Sequence, residues 1–191
     1  RMTKPAEIVS SDLEQLILVD PNDTEIGSMT KLDCHQGDGV LHRAFSVFVF
    51  NSRGDTLLQQ RSKLKMLWPG YWSNACCSHP RVGEDSKEAA QRRLKQELGL
   101  SMELNFLYKF QYQAHFADIG SEHELCWVWL GISDSENITA NQNEIADWRF
   151  FSQAELEVEL GSNSDAYTPW MKLEWRKIMS KFAHLVPKQS S

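Results

Sequence analysis

Hydrophobic positions change period several times along the chain, and each change marks an element. Gln15 to Val19 is a short apolar run that stops at Asp20-Pro21-Asn22-Asp23 and resumes at Ile26-Gly27, which predicts a β-hairpin. Ala44 to Phe50 is apolar almost throughout and rich in β-branched and aromatic residues, as suits a strand covered on both faces. The turn Asn51-Ser52-Arg53-Gly54-Asp55 leads into a second strand over Thr56 to Arg61, giving another hairpin. From Asp85 the period becomes helical: Asp85 and Glu88 match a capping box, Ala90, Leu94 and Leu98 recur on one face, and Gly99 ends the segment. Leu125 to Ile132 reads as a buried strand and Trp148 to Phe151 as a shorter one, followed by a helix capped by Ser152 with Glu155. Thr168-Pro169 opens a last helix with Met171, Trp175, Ile178 and Phe182 on one stripe. Strands and helices mixed in this order predict an α/β or α+β fold, a mixed sheet with helices on its faces.

At 191 residues and 41% hydrophobic positions the chain can bury one substantial core, so 1–191 is read as a single domain with flexible tails over 1–10 and 187–191. The opening Arg1-Met2 reads as a residue left from a tag ahead of a natural start. A formal net charge of −6 argues against nucleic acid or an anionic membrane as partner, because either needs a surplus of Lys and Arg on one face. An anionic substrate must then meet a local cluster of cations. With no basic-plus-apolar leader and no apolar run of about 18 residues, the expected location is the cytoplasm. Thiols stay reduced there, so Cys34, Cys76, Cys77 and Cys126 call for packing or chemistry rather than disulfides.

Three imidazoles fall near strand ends or in loops: His35, His42 and His79. Each alone is an ordinary hydrogen-bonded loop histidine; together they are a candidate ligand set. Glu122 and Glu124, at i and i+2, point to one face of an extended chain and can chelate a cation, whereas a plain strand entry would leave them solvated. Three His and two Glu form a mixed nitrogen and oxygen set suited to zinc, manganese or iron. Arg61, Lys63 and Lys65 crowd ahead of Trp68-Pro69-Gly70, as a solvated loop or as a clamp for a diphosphate. Arg93 and Glu97, four apart beside the apolar stripe of the Asp85 helix, are either an intrahelical ion pair or the seat of a magnesium ligand, Glu97.

Counted back from Gly99, the segment ending at Leu100 resembles the Nudix box. Glu84, Arg92, Leu94, Glu97, Gly99 and Leu100 are in register, while Ser78, Arg93 and Gln96 stand where the box has a glycine and two glutamates. Nudix hydrolases use such glutamates to gather the cations that activate a water, and part of that equipment is missing. Further segments are Leu41-His42-Arg43-Ala44-Phe45-Ser46, Trp68-Pro69-Gly70, Ser73-Asn74-Ala75-Cys76-Cys77-Ser78-His79-Pro80, Ala90-Gln91-Arg92-Arg93-Leu94-Lys95 and Thr168-Pro169-Trp170-Met171. Together they resemble the type I isopentenyl-diphosphate Δ-isomerases, from about Ile17 to the last helix.

The resemblance implies a Nudix-like mixed β-sheet sandwiched between helices. It also implies an enzyme of isoprenoid biosynthesis whose small-molecule substrate, isopentenyl diphosphate, becomes dimethylallyl diphosphate by gain of a proton at one carbon and loss of one at another. By motif position Cys77 and Glu124 are the acid-base pair on opposite faces of the alkene, with Tyr112 as hydrogen-bonding partner of Glu124. His35, His42, His79, Glu122 and Glu124 would hold zinc, manganese or magnesium, and Glu97 a second ion, magnesium, shared with the diphosphate. Lys31, Arg61, Lys65 and Arg93 match the family's phosphate-binding cations, and Trp170 offers an aromatic face to a carbocation. Cys76 is expected as a packed neighbour, and Gly161 to Tyr167 as a polar loop that closes as a lid near Trp170. Two other readings stand beside this one. A Nudix hydrolase of a nucleoside diphosphate derivative is disfavoured by Arg93 and Gln96, and a catalytically silent metal-binding module by the joint presence of Cys77, Glu124, Tyr112 and three histidines.

Overall fold

The structure, a computed structural model, describes residues 7–189; Arg1-Met2 and the outer parts of both expected tails lie outside the described residues. In chain order the strands are β1 (Gln15–Val19), β2 (Glu25–Thr30), β3 (His42–Phe50), β4 (Thr56–Arg61), β5 (Trp72–Asn74), β6 (Cys76–Ser78), β7 (Leu104–Phe116), β8 (Gly120–Ile132) and β9 (Ile145–Phe151). The helices are α1 (Lys31–Cys34), α2 (Ser86–Leu98), α3 (Gln153–Ser162) and α4 (Pro169–Lys181).

The near-continuous apolar run of β3 is explained by what covers it. Phe45, Val47 and Val49 pack with Leu57 against Ala89, Ala90, Leu94 and Leu98 of α2. Phe48 and Phe50, on the other face by strand alternation, pack with Trp170, Met171, Trp175 and Ile178 of α4. The sheet is therefore sandwiched between helices, as expected. β3 runs antiparallel to β6 and parallel to the long strand β8, with His42 beside Glu124 and Ser46 opposite Cys77. β7 extends the sheet as an antiparallel partner of β8, placing Tyr112 opposite Glu124. Both predicted hairpins, β1–β2 and β3–β4, are present.

Helix α2 starts where Asp85 accepts the amides of Lys87 and Glu88, and it stops at Gly99, whose φ of 69° suits a residue without a side chain. Ser152 caps α3 through the Glu155 amide. Thr168 holds the cap position of α4, but its hydroxyl meets Ser73 Oγ (2.9 Å) instead of an α4 amide, and Pro169 supplies the start.

One expectation is corrected. Gly161 and Ser162 are the last turn of α3, and Ser164–Ala166 is a 3₁₀ turn, so the stretch expected as a loop is largely helical. Within the described parts of the expected tails, Val9 is buried with its carbonyl on Arg93, Asn141 Nδ2 donates to Glu7 O (2.6 Å), and the Gln189 side chain accepts the Gln153 amide (2.9 Å).

Candidate active site

The parallel pairing of β3 with β8 builds the first half of the site. His42 opens β3 next to Glu124, and Glu122, two residues earlier on β8, shares its face. His79 follows β6, and His35 ends α1. Gly120 lets α1 approach this closely, since a Cβ there would lie 2.5 Å from His35 O, the carbonyl that accepts the Ser121 amide (2.9 Å). His35, His42, His79, Glu122 and Glu124 are all buried, and one donor atom from each lies within 4.8 Å of the others.

These five residues fit a divalent cation. His35 Nδ1 donates to Lys31 O (2.6 Å) and His42 Nδ1 to Val40 O (2.8 Å), which turns each Nε2 toward the carboxylates. His35 Nε2 is 3.1 Å from Glu122 Oε2, and His42 and His79 Nε2 are 3.8 and 3.6 Å from Glu124 Oε1. His42 Nε2 and His79 Nδ1 are buried without a hydrogen-bond partner, a condition that costs about 1–3 kcal/mol each. Burial and then the neighbouring imidazoles push both pKa values down, that of His42 to about 4, keeping the rings in the neutral form that ligates metals.

The second half is a thiol on β6 facing the α4 side. Cys77 Sγ donates to Asn74 Oδ1 (2.9 Å) and accepts from Trp170 Nε1 (3.2 Å), while the hydroxyls of Ser46 and Ser73 lie 3.8 Å away. Burial, and after it the Glu174 carboxyl, push the thiol up to about 12. Cys76 points the other way, fully buried under α2 with its thiol 3.3 Å from Glu97 Oε2, the packed neighbour expected. The Tyr112 hydroxyl bonds Glu124, whose carboxyl is held well above the usual range by burial and by the charge of Glu122. Cys77, Tyr112, Glu124 and Trp170 line one cavity of about 510 Å³ together with His35, His79 and Glu122.

All four expected cations line the same cavity. Arg61 Nε and Nη2 donate to the Trp68 and Leu67 carbonyls (3.0 and 2.8 Å), with its guanidinium 5.3 Å from the Trp170 ring centroid. Lys31 is pushed down to about 8 by burial and next by the Lys65 charge. Lys65 is paired with Glu144. Arg93 is almost wholly buried, its Nε and Nη2 on Glu97 Oε2 (3.0 and 2.9 Å) and its Nη1 on Val9 O. The intrahelical ion pair left open by the sequence is thus formed. Glu97 also accepts from Gln59 Nε2 (3.3 Å) and stands apart from the five-residue cluster.

Comparison with known proteins decides the family. Residues 40–171 match the NUDIX domain family. The chain is 43% identical over 169 residues to isopentenyl-diphosphate Delta-isomerase 1 of Photorhabdus laumondii, spanning 87% of this chain and 96% of that protein. It is 39% identical over 182 residues to isopentenyl-diphosphate Delta-isomerase 1 of Bos taurus, spanning 84% and 80%. The chain belongs to the isopentenyl-diphosphate Δ-isomerase family of NUDIX proteins. A solved structure, DR0079 from Deinococcus radiodurans, superimposes on this isomerase-family chain with a TM-score of 0.69 over 85% of it and 98% of its own length at 22% identity, which speaks to the fold alone.

Some residues of this isomerase-family site escape a reading of the sequence by residue type. Asn74 has a signal, three residues before Cys77 in the motif, but only the structure shows its amide turned by Val47 O and Cys76 O (both 3.0 Å from Nδ2) so that its oxygen faces the thiol. Trp68 takes a left-handed backbone (φ 49°) and meets Trp170 edge-on at 5.2 Å. Glu144 and Glu174 sit in polar and apolar stretches respectively, with no spacing that ties them to the motifs.

Proposed function

We propose that this protein converts isopentenyl diphosphate to dimethylallyl diphosphate, with Cys77 and Glu124 as the proton-transfer pair. The observation that carries this reading is the single cavity lined by a thiol on β6 and a carboxyl on β8, on the two strands that flank β3. One group gives a proton to the terminal methylene carbon and the other takes one from the carbon next to the oxygen-bearing methylene. The double bond moves inward and the proton count is unchanged. Asn74 and Trp170 orient the Cys77 thiol, and Tyr112 orients the Glu124 carboxyl. The Trp170 and Trp68 rings keep water from the alkene end, and the face of Trp170 favours the positive charge that develops on the branched carbon.

Lys31, Arg61, Lys65 and Arg93 supply the cationic wall for the diphosphate. A divalent ion held by His35, His42, His79, Glu122 and Glu124, as zinc, manganese or magnesium, would supply fixed positive charge beside the Glu124 carboxyl. Glu97 would be the protein ligand of a magnesium ion that enters with the diphosphate and would neutralise part of its charge. No helix among the described residues is long and apolar enough to cross a membrane, in keeping with a cytoplasmic enzyme acting on a small diphosphate. Hydrolysis would need carboxylates where Arg93 and Gln96 stand.

The test is to follow metal-loaded protein with isopentenyl diphosphate in heavy water by NMR. Dimethylallyl diphosphate carrying solvent deuterium is expected, and Cys77→Ala and Glu124→Gln, folded as wild type, should each lose a factor of about 10²–10⁴ or more. Absence of both product and exchange in folded, metal-loaded wild type would defeat the reading.

A further inference from the structure

Glu144 is a buried acid standing where an anionic ligand has to bind. It precedes β9 and is fixed by its backbone, with its amide on Asn141 O and its carbonyl accepting the Ser62 amide (both 3.0 Å). Its carboxylate contacts the Lys65 ammonium and lies 3.6 Å from Arg93 Nη2. The side chain is 3% exposed, and Glu144, Lys65, Arg93 and Lys31 all line the cavity. Burial works to raise its pKa, but the charges of Lys65 and then Arg93 outweigh it and hold it below the usual range, so Glu144 is an anion among the cations. No catalytic step proposed above uses it.

We propose that Glu144 is the resident counter-anion of the diphosphate subsite: it keeps Lys65 and Arg93 in place and yields them only to a ligand of higher charge. The proposal rests on the reading of this cavity as a diphosphate pocket. The Glu144 carboxylate already neutralises Lys65 and repels a second anion brought beside it, so an entering phosphoryl group must compete with the carboxylate for the ammonium. A ligand with about three negative charges recovers more from the cationic wall than a carboxylate gives up, whereas a monophosphate gains much less. Glu144 therefore lowers affinity for all phosphates and lowers it most for the weaker anions, which makes it a specificity-determining residue.

The experiment is calorimetric titration of inorganic diphosphate and of inorganic phosphate into the full chain, loaded with one equivalent of zinc and freed of other divalent ions. Wild type and Glu144→Gln are compared at low salt. Glu144→Gln is expected to bind diphosphate about tenfold more tightly and phosphate by a larger factor, so that the preference for diphosphate narrows. Equal or weaker diphosphate binding by a variant with wild-type circular dichroism overturns the proposal and makes Glu144 a support for the cations. If that variant does not fold, Glu144→Asp, which withdraws the charge by one methylene, should bind diphosphate about threefold more tightly, and no gain overturns the proposal. Wild type that binds no diphosphate at all overturns the pocket reading itself, an outcome the wild-type isotherm shows before any variant is made.

Discussion

Glu174 lies fully buried on α4, one turn beyond Trp170, with Oε1 lacking a partner, Oε2 3.6 Å from Cys126 Sγ and a hydrogen bond to Ser46. The titratable groups that feel it are Cys77, Cys126, Tyr108 and Tyr112, none of them a cation, so burial raises its pKa to about 8. Between the unfolded value of 4.5 and about 8 the native state keeps a proton that the unfolded chain has released. Its contribution is thus complete below pH 4.5 and drains away as pH rises toward 8, by a few kcal/mol at most. Glu174→Gln cannot titrate. Its melting temperature should gain on wild type steadily from pH 5 to pH 8, and parallel curves across that range would remove this account of Glu174.

At the scale of elements, the site depends on how closely β8 can start beneath α1. Gly120→Ala puts a Cβ against the His35 carbonyl, a backbone atom that cannot turn aside. A loss of roughly 1–3 kcal/mol is expected in urea denaturation, with weaker zinc binding because His35 is pushed from the cluster; unchanged affinity for zinc would show that α1 shifts without cost. The hairpins, α2 and the final helix were legible because their periods are clean and their caps are local. β7 went unread although its second half alternates well, with Tyr108, Phe110, Tyr112, Ala114 and Phe116 between Lys109, Gln111, Gln113 and His115. Every second residue there is polar, so no apolar run forms, and attention to apolar runs passes over a strand of that kind. β8 and β9 were placed but cut short at their polar entries, Gly120–Glu124 and Ile145–Asp147, where burial is set by partners distant in sequence. The loop expected over Gly161–Tyr167 is largely helical, because a polar, glycine-containing helix end looks like loop in sequence.

For the whole molecule, residue type pointed to the candidate metal donors, and the family resemblance to the thiol, the acid and the cations proposed for the site. What neither could give was the long-range charge pairing. Glu144 meets Lys65 and Arg93 across segments far apart in the chain, and only the folded cavity shows that these cations of the pocket are already engaged. The five donors likewise come from α1, β3, β8 and the end of β6, so a bound cation stabilises the assembled fold and not any one piece of it. Zinc at about 100 times its dissociation constant should add roughly 2.7 kcal/mol, read as a rise in melting temperature that a chelator reverses and that His42→Ala abolishes. An identical rise in His42→Ala would place the ion elsewhere.

The parallel pairing of β3 with β8 also sets a clock. His42 and Glu124 are neighbours in the sheet although 82 positions separate them, and such a contact forms only after a long loop has closed, well behind the local hairpins. The chelating cluster is thus among the last features a refolding chain acquires. Metal uptake should report the end of folding, and a partly synthesised chain that stops before β8 has no cluster with which to take the ion up.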